Sequence, residues 1–146
     1  MTLLAWLLAA VLTLIAALHV YWGIGGVWPG KDARSCAHAV VGFRGIDAMP
    51  SLIASFAVAG VLIAAALVAL AVGGIFAQPF AIMSLAGVSI FLGATFLFRG
   101  IFGFTPWWRQ LTPEMPFARL DMRYYSPFCL LLGFGLVILG IGGFAS

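Results

Sequence analysis

Three long stretches of the chain contain no Asp, Glu, Lys or Arg: Met1 to Gly30, Ala48 to Phe98, and Tyr124 to Ser146. A helix needs about 20 apolar residues to cross the hydrocarbon core of a bilayer. The first and last stretches hold one crossing each, and the middle one holds two. The pattern predicts an all-α, four-helix transmembrane bundle with spans at about 2–28, 50–72, 79–104 and 127–145. Loops at about 29–49 and 105–126 interrupt it, and the whole of 1–146 reads as a single integral membrane domain.

The boundaries carry their own punctuation. Pro29-Gly30 is expected to stop the first span, and Asp47 and Pro50 to open the second. Pro127 is expected to open the fourth. Thr105-Pro106 and Thr112-Pro113 each resemble an N-cap followed by a first-turn proline, which predicts short interfacial helices in the second loop. Trp107, Trp108, Tyr124 and Tyr125 are expected to sit in an aromatic belt at headgroup level. In the first loop, the apolar patch AVVGF is expected to lie along the headgroup boundary or fold back under the helices. The N-terminal run lacks a basic flank and exceeds the roughly 7–15 residues of a signal-peptide core, so it is read as a retained span.

Small residues mark the expected helix contacts. Gly23 and Gly26 fall on one face of the first span, and Gly60 stands between Ala57 and Ala64 on the second. Gly100 and Gly103 close the third, and such spacings let backbones approach within a bilayer. Shifting the chain by 77 residues aligns Gly23, Ile24, Gly26 and Pro29 with Gly100, Ile101, Gly103 and Pro106, and Pro50 with Pro127. That register suggests two parallel helical-hairpin repeats.

Composition supports the membrane reading. The chain is 64% hydrophobic and 8% charged, with a mean hydropathy of +1.19, too little polar surface for a water-soluble domain of 146 residues. Its net charge of +3 does not point to nucleic acid, because the basic residues flank helix ends. Lys31, Arg34 and Arg44 follow the first span, and Arg99, Arg109, Arg119 and Arg123 follow or close the third. The connection around 73–79 has none. By the positive-inside bias, both charged loops are expected in the cytoplasm and both termini outside, as in a multi-pass protein of a bacterial inner membrane.

Few residues are candidates for chemistry. His19 lies on one helical face with Trp22, Gly23 and Gly26, and an ionisable residue at membrane depth is a functional candidate by default. The alternative is that His19 and Trp22 hold two helices in register. Arg99 either snorkels to the headgroups or turns inward to pair with Asp47 or Asp121. Arg44, Arg119 and Arg123 also suit lipid phosphates. Cys36 and Cys129 are expected as plain thiols, and Cys36-x-His38 offers too few ligands for a metal. No cofactor motif is present, and no catalytic set can be assigned.

HVYWGIGGVWPG, FLFRGIFGF and FARLDMRYYSPFCLLLG together resemble a bacterial family of small four-helix membrane proteins of unknown function. Its members carry a similar H-x-Y-W-x-x-G-G element and an R-L-D-x-R-x-Y-S-P-x-C-L stretch. The resemblance covers nearly the whole chain and breaks down between Pro29 and Arg44. It implies importance for His19, Tyr21, Trp22, Gly25 and Gly26, and for Arg119, Leu120, Asp121, Arg123, Tyr125, Ser126 and Pro127. It implies no activity.

The expected function is binding or transport of a small molecule or lipid through a cytoplasm-facing polar pocket, lined by His19, Tyr21, Trp22, Asp47, Arg99, Asp121 and Arg123. One alternative is an accessory subunit of a larger membrane complex, and another is an enzyme using His19 as acid or base. Membrane lipids are the expected partners. Four helices make a thin wall for a path, so a homodimer or larger complex is expected too.

Overall fold

The computed structural model describes residues 1–76 and 82–145. It shows an all-α chain: α1 (Thr2–Gly23), α2 (Ala33–Val40), α3 (Leu52–Val72), α4 (Ile82–Phe102), α5 (Pro106–Leu111), α6 (Phe117–Leu120) and α7 (Ser126–Phe144). A π-helical turn at Asp121–Tyr125 joins α6 to α7. Four helices are long and apolar enough to cross a membrane: Thr2–Gly23, Leu52–Val72, Met83–Phe102 and the continuous Phe117–Phe144. The start of the third span at Pro79 lies outside the described residues.

The first span stops earlier than Pro29. Gly25 adopts φ +97°, its amide donates to Trp22 O at 3.1 Å, and the Gly26 amide donates to Tyr21 O at 2.9 Å. This is a Schellman closure, which needs a residue without a Cβ penalty at the left-handed position. The fourth helix starts earlier than Pro127 and runs through it. Pro127 has no amide to give the carbonyl one turn back, and its ring crowds that carbonyl. The widened turn just before it takes up the mismatch, with the Ser126 amide donating to Asp121 O. Thr105 does cap α5, accepting from the Trp108 amide at 3.3 Å. No helix starts at Thr112-Pro113. Thr112 instead ends α5, its hydroxyl donating to Trp108 O at 2.9 Å.

The spans pack mainly as two pairs, α1 with α3 and α4 with α7, joined by thinner contacts of α3 and α1 with the second pair. Between α1 and α3 the core is largely alanine and leucine: Ala5, Ala9, Leu12 and Ala16 meet Ala59, Ala65, Ala66 and Ala69, with Leu132, Leu136 and Leu139 of α7 closing the cluster. Between α4 and α7 the spacers are glycines. A Cβ on Gly93 would lie 2.8 Å from Gly133 O, and one on Gly133 would lie 2.8 Å from Gly93 O. A Cβ on Gly140 would lie 2.7 Å from Ala86 O. The Ser89 hydroxyl crosses the same seam to Leu136 O at 2.8 Å. Lipid tails are as apolar as leucine, so close backbone approach and such hydrogen bonds hold helices together in a bilayer.

The expected packing glycines divide. Gly23 faces Phe56 and Ser55 of α3, Gly100 faces Leu130 of α7, and Gly103 faces Ser126. Gly26 packs on the Tyr21 ring within its own turn, and Gly60 faces open space.

Candidate functional site

Both candidate features lie at the end of the bundle where the charged loops gather. The first is a carboxylate held by four donors. Asp121 is fully buried. Its Oδ1 accepts from Arg99 Nη2 at 2.7 Å and from Ser126 Oγ at 3.1 Å. Its Oδ2 accepts from Trp108 Nε1 at 2.9 Å and from Arg109 Nη2. The π turn makes this set possible, because i→i+5 spacing stacks Asp121 and Ser126 on one face. Arg99 also reaches Ser126 Oγ at 3.3 Å, and its guanidinium lies 4.7 Å from the Trp108 ring centroid. Arg109 spends a further donor on Ala118 O at 2.9 Å. Two guanidinium groups share one carboxylate, so the cluster carries one surplus positive charge. It ties α4, α5 and α7 together.

A second network clasps the two charged loops. The Arg44 amide donates to Leu111 O at 3.0 Å, and the Glu114 amide to Gly42 O at 3.3 Å. Glu114 Oε1 accepts from the Gly45 amide at 2.9 Å, and Tyr125 Oη donates to Ala39 O at 3.2 Å. His38 Nε2 donates to Ile46 O at 2.8 Å, with Nδ1 3.8 Å from Glu114. Gly42, at φ +71°, presses against the Phe117 ring, so a side chain there would be strained twice over. α2 is capped by Asp32, whose carboxylate accepts from the Ser35 amide at 2.7 Å, an interaction that holds its pKa below the usual range. The AVVGF patch therefore folds back under the helices.

The second feature is a cavity of about 250 Å³ between α1, α3 and the first loop. His19, Trp22, Val40, Val41, Met49, Pro50, Ala54, Ser55 and Val58 line it. Ile15 O is an acceptor only, so His19 Nδ1 donates to it at 2.9 Å. In the neutral ring that leaves Nε2 as a lone-pair acceptor. Nε2 has no partner among the described residues. Trp22 meets the imidazole edge to face at 5.2 Å and donates Nε1 to Trp28 O at 2.7 Å. Ser55 is only 5% exposed, and its hydroxyl has no hydrogen-bond partner among the described residues.

The structure thus brings Arg99 to Asp121, and His19 to Trp22, in two separate places. Tyr21 lies beside the second, its hydroxyl accepting from the Trp28 amide at 3.4 Å. Asp47 does not meet Arg99; it pairs with Arg34 at 3.2 Å on the surface. Arg123 is exposed and lies over the Tyr124 ring at 5.5 Å. Trp107 and Tyr124 are exposed, whereas Trp108 and Tyr125 turn inward to Asp121 and Ala39. Sequence reasoning passed over Ser55 and Arg109 as site residues and assigned Trp108 to the belt. A serine in an apolar helix and a tryptophan beside an arginine were the available signals.

Among the described residues, no group of three or more His, Cys, Asp or Glu side chains is placed to hold a metal. Cys36 is fully buried in α2, its Sγ 3.5 Å from Trp28 O, and burial pushes the thiol pKa up. A raised pKa keeps it as the unreactive thiol at neutral and mildly alkaline pH. In a Cys129→Ser background, maleimide labelling of Cys36 is expected only after denaturation; labelling of the native protein at the rate of a free thiol would show that the first loop opens.

Four long apolar helices define a multi-pass helical membrane protein. Residues 3–136 match the family described as "Protein of unknown function (DUF3995)", and the chain belongs to that family. No curated protein and no solved structure matches it.

Proposed function

We propose that this protein binds a small molecule in the cavity between α1, α3 and the first loop, reached from the cytoplasmic side. The observation that supports it is the pair of unspent polar groups in an otherwise apolar lining. The Ser55 hydroxyl makes no hydrogen bond to the described residues and stays accessible from the cavity, and His19 has one ring nitrogen committed and the other free. An acceptor and a hydroxyl left open together on an otherwise apolar wall are the few placed polar groups that orient a ligand. At about 250 Å³ the cavity is below the roughly 300–1,000 Å³ of drug-sized sites, which suits a compact molecule or headgroup.

In this reading Arg99, Asp121, Arg109 and Trp108 form a lock that sets the end of α4 against α7. The seven basic residues in or beside the two loops support a cytoplasmic placement for the charged end, with both termini outside. The pairing of α1 with α3 and of α4 with α7 supports an origin from two hairpin repeats.

Native mass spectrometry of the protein, extracted gently from its own membrane, tests the binding reading. A discrete added mass is expected on the wild type. It should be lost in His19→Phe and in Ser55→Ala, and kept in Arg34→Ala, which breaks only an exposed pair. A wild-type spectrum of bare protein, or an added mass that survives both cavity substitutions, would overturn the reading.

A further inference from the structure

A second void lies close to the first. It is a cleft of about 390 Å³ between α3 and α4, lined by Ala57, Val61 and Leu62 on one side and Leu92 and Phe96 on the other, with Arg99 at its loop end. Val58 lines both voids. On α3 the first void spans Ala54 to Val58 and the second Ala57 to Leu62, so the cleft starts where the cavity ends and continues about one helical turn deeper. The guanidinium of Arg99 is turned to Asp121 and Ser126, so its aliphatic stem is what remains for the cleft.

We infer that the two voids form one site for a single-chain amphiphile with an uncharged hydroxyl head, the head between His19 and Ser55 and the chain in the α3–α4 cleft. The inference rests on the binding reading of the His19 cavity. The head is uncharged because no Lys or Arg lines the cavity to meet a phosphate or carboxylate. It is a hydroxyl because the site presents one acceptor, His19 Nε2, and one group that both donates and accepts, Ser55 Oγ. A hydroxyl donating to the imidazole and accepting from the serine satisfies both. The chain runs inward because the cleft is apolar and lies at membrane depth, so the head stays near the headgroup boundary while the chain extends toward the bilayer centre.

Two photoreactive analogues of cetyl alcohol test this, one with its diazirine beside the head and one with it midway along the chain. Each is added to the full-length protein in nanodiscs, and cross-linked residues are mapped by peptide mass spectrometry. The head probe is expected to label α1 or α3 around His19 and Ser55, and the mid-chain probe α4 around Leu92 to Phe96. Labelling by both should fall about tenfold in His19→Phe, as expected for loss of one buried hydrogen bond. Unlabelled cetyl alcohol should compete and palmitate should not. Val58→Phe, at the junction, should suppress the α4 label and keep the head label; thermal unfolding confirms that the variants remain folded. A His19-dependent head label with the chain label elsewhere would overturn the chain path and leave the cavity reading intact. Stronger competition by palmitate would overturn the uncharged head. Absence of His19-dependent labelling by either probe, while the native added mass is still lost in His19→Phe, would overturn the amphiphile and keep a ligand of another class.

Discussion

Asp121→Ala is expected to destabilise the protein by about 3–5 kcal/mol, because it leaves charges and donors without the acceptor they share. Both carboxylate oxygens are filled: Arg99 and Ser126 on Oδ1, Trp108 and Arg109 on Oδ2. Removing the carboxylate leaves two guanidinium groups facing each other at the membrane edge. The side chain of Arg109 is only 20% exposed, so little water is at hand to replace the lost partner. Arg99→Ala should cost less, since Arg109 still neutralises the acid. The triple variant Arg99→Gln, Arg109→Gln, Asp121→Asn should recover much of the loss, because it strands no charge. Thermal unfolding in mild detergent, followed by circular dichroism, orders the three. If Asp121→Ala and the triple variant fell equally, the cluster would be holding the helices by shape and hydrogen bonds, with its charge immaterial.

The second large effect is steric. Gly133→Val and Gly93→Val are each expected to lower stability by at least the roughly 1–3 kcal/mol typical of overpacking. The Cβ alone already meets a backbone oxygen 2.8 Å away on the facing helix, and backbone cannot swing aside as a side chain can. The helices must separate, which also strains the Ser89 bond to Leu136 O. Gly60→Ala is the contrasting case. A Cβ there meets nothing within 4 Å, so the gain in helix propensity over glycine, up to about 1 kcal/mol, should appear as unchanged or raised stability. The same detergent unfolding assay reads all three. Equal losses at Gly60 and Gly133 would mean that α3 is rotated so that Gly60 packs against another helix of the bundle.

Gly60 also shows why small-residue spacing is an incomplete guide. Its surroundings in sequence match those of a packing glycine, yet it faces away from the other helices, while Gly93, Gly133 and Gly140 bring α4 and α7 into backbone contact. A spacing states that a helix has a narrow face. Which way that face points depends on helix rotation, and rotation is settled by the partner. The same holds for the polar residues. Arg99 had two acids available, and Asp47 was as well placed along the chain as Asp121. The π turn before Pro127 decided the matter by turning Asp121 inward beside Ser126, and Asp47 was left to Arg34.

By itself, the sequence determined the number and order of the spans, the gathering of charge at one end of the bundle, and the lack of polar surface for a water-soluble domain. Those follow from transfer free energy, which sums along a segment and needs no knowledge of neighbours. It also placed His19 with Trp22, because two residues three apart on a helix meet whatever else the chain does. Only the tertiary structure decided that these two form one cavity with Ser55 and that Arg99, Trp108 and Arg109 converge on Asp121 elsewhere. It also showed that the first and second loops are clasped through Gly42, Arg44 and Glu114. Each of those contacts joins residues from different helices or loops, and depends on helix rotation, on one widened turn and on glycines thin enough to let two backbones touch.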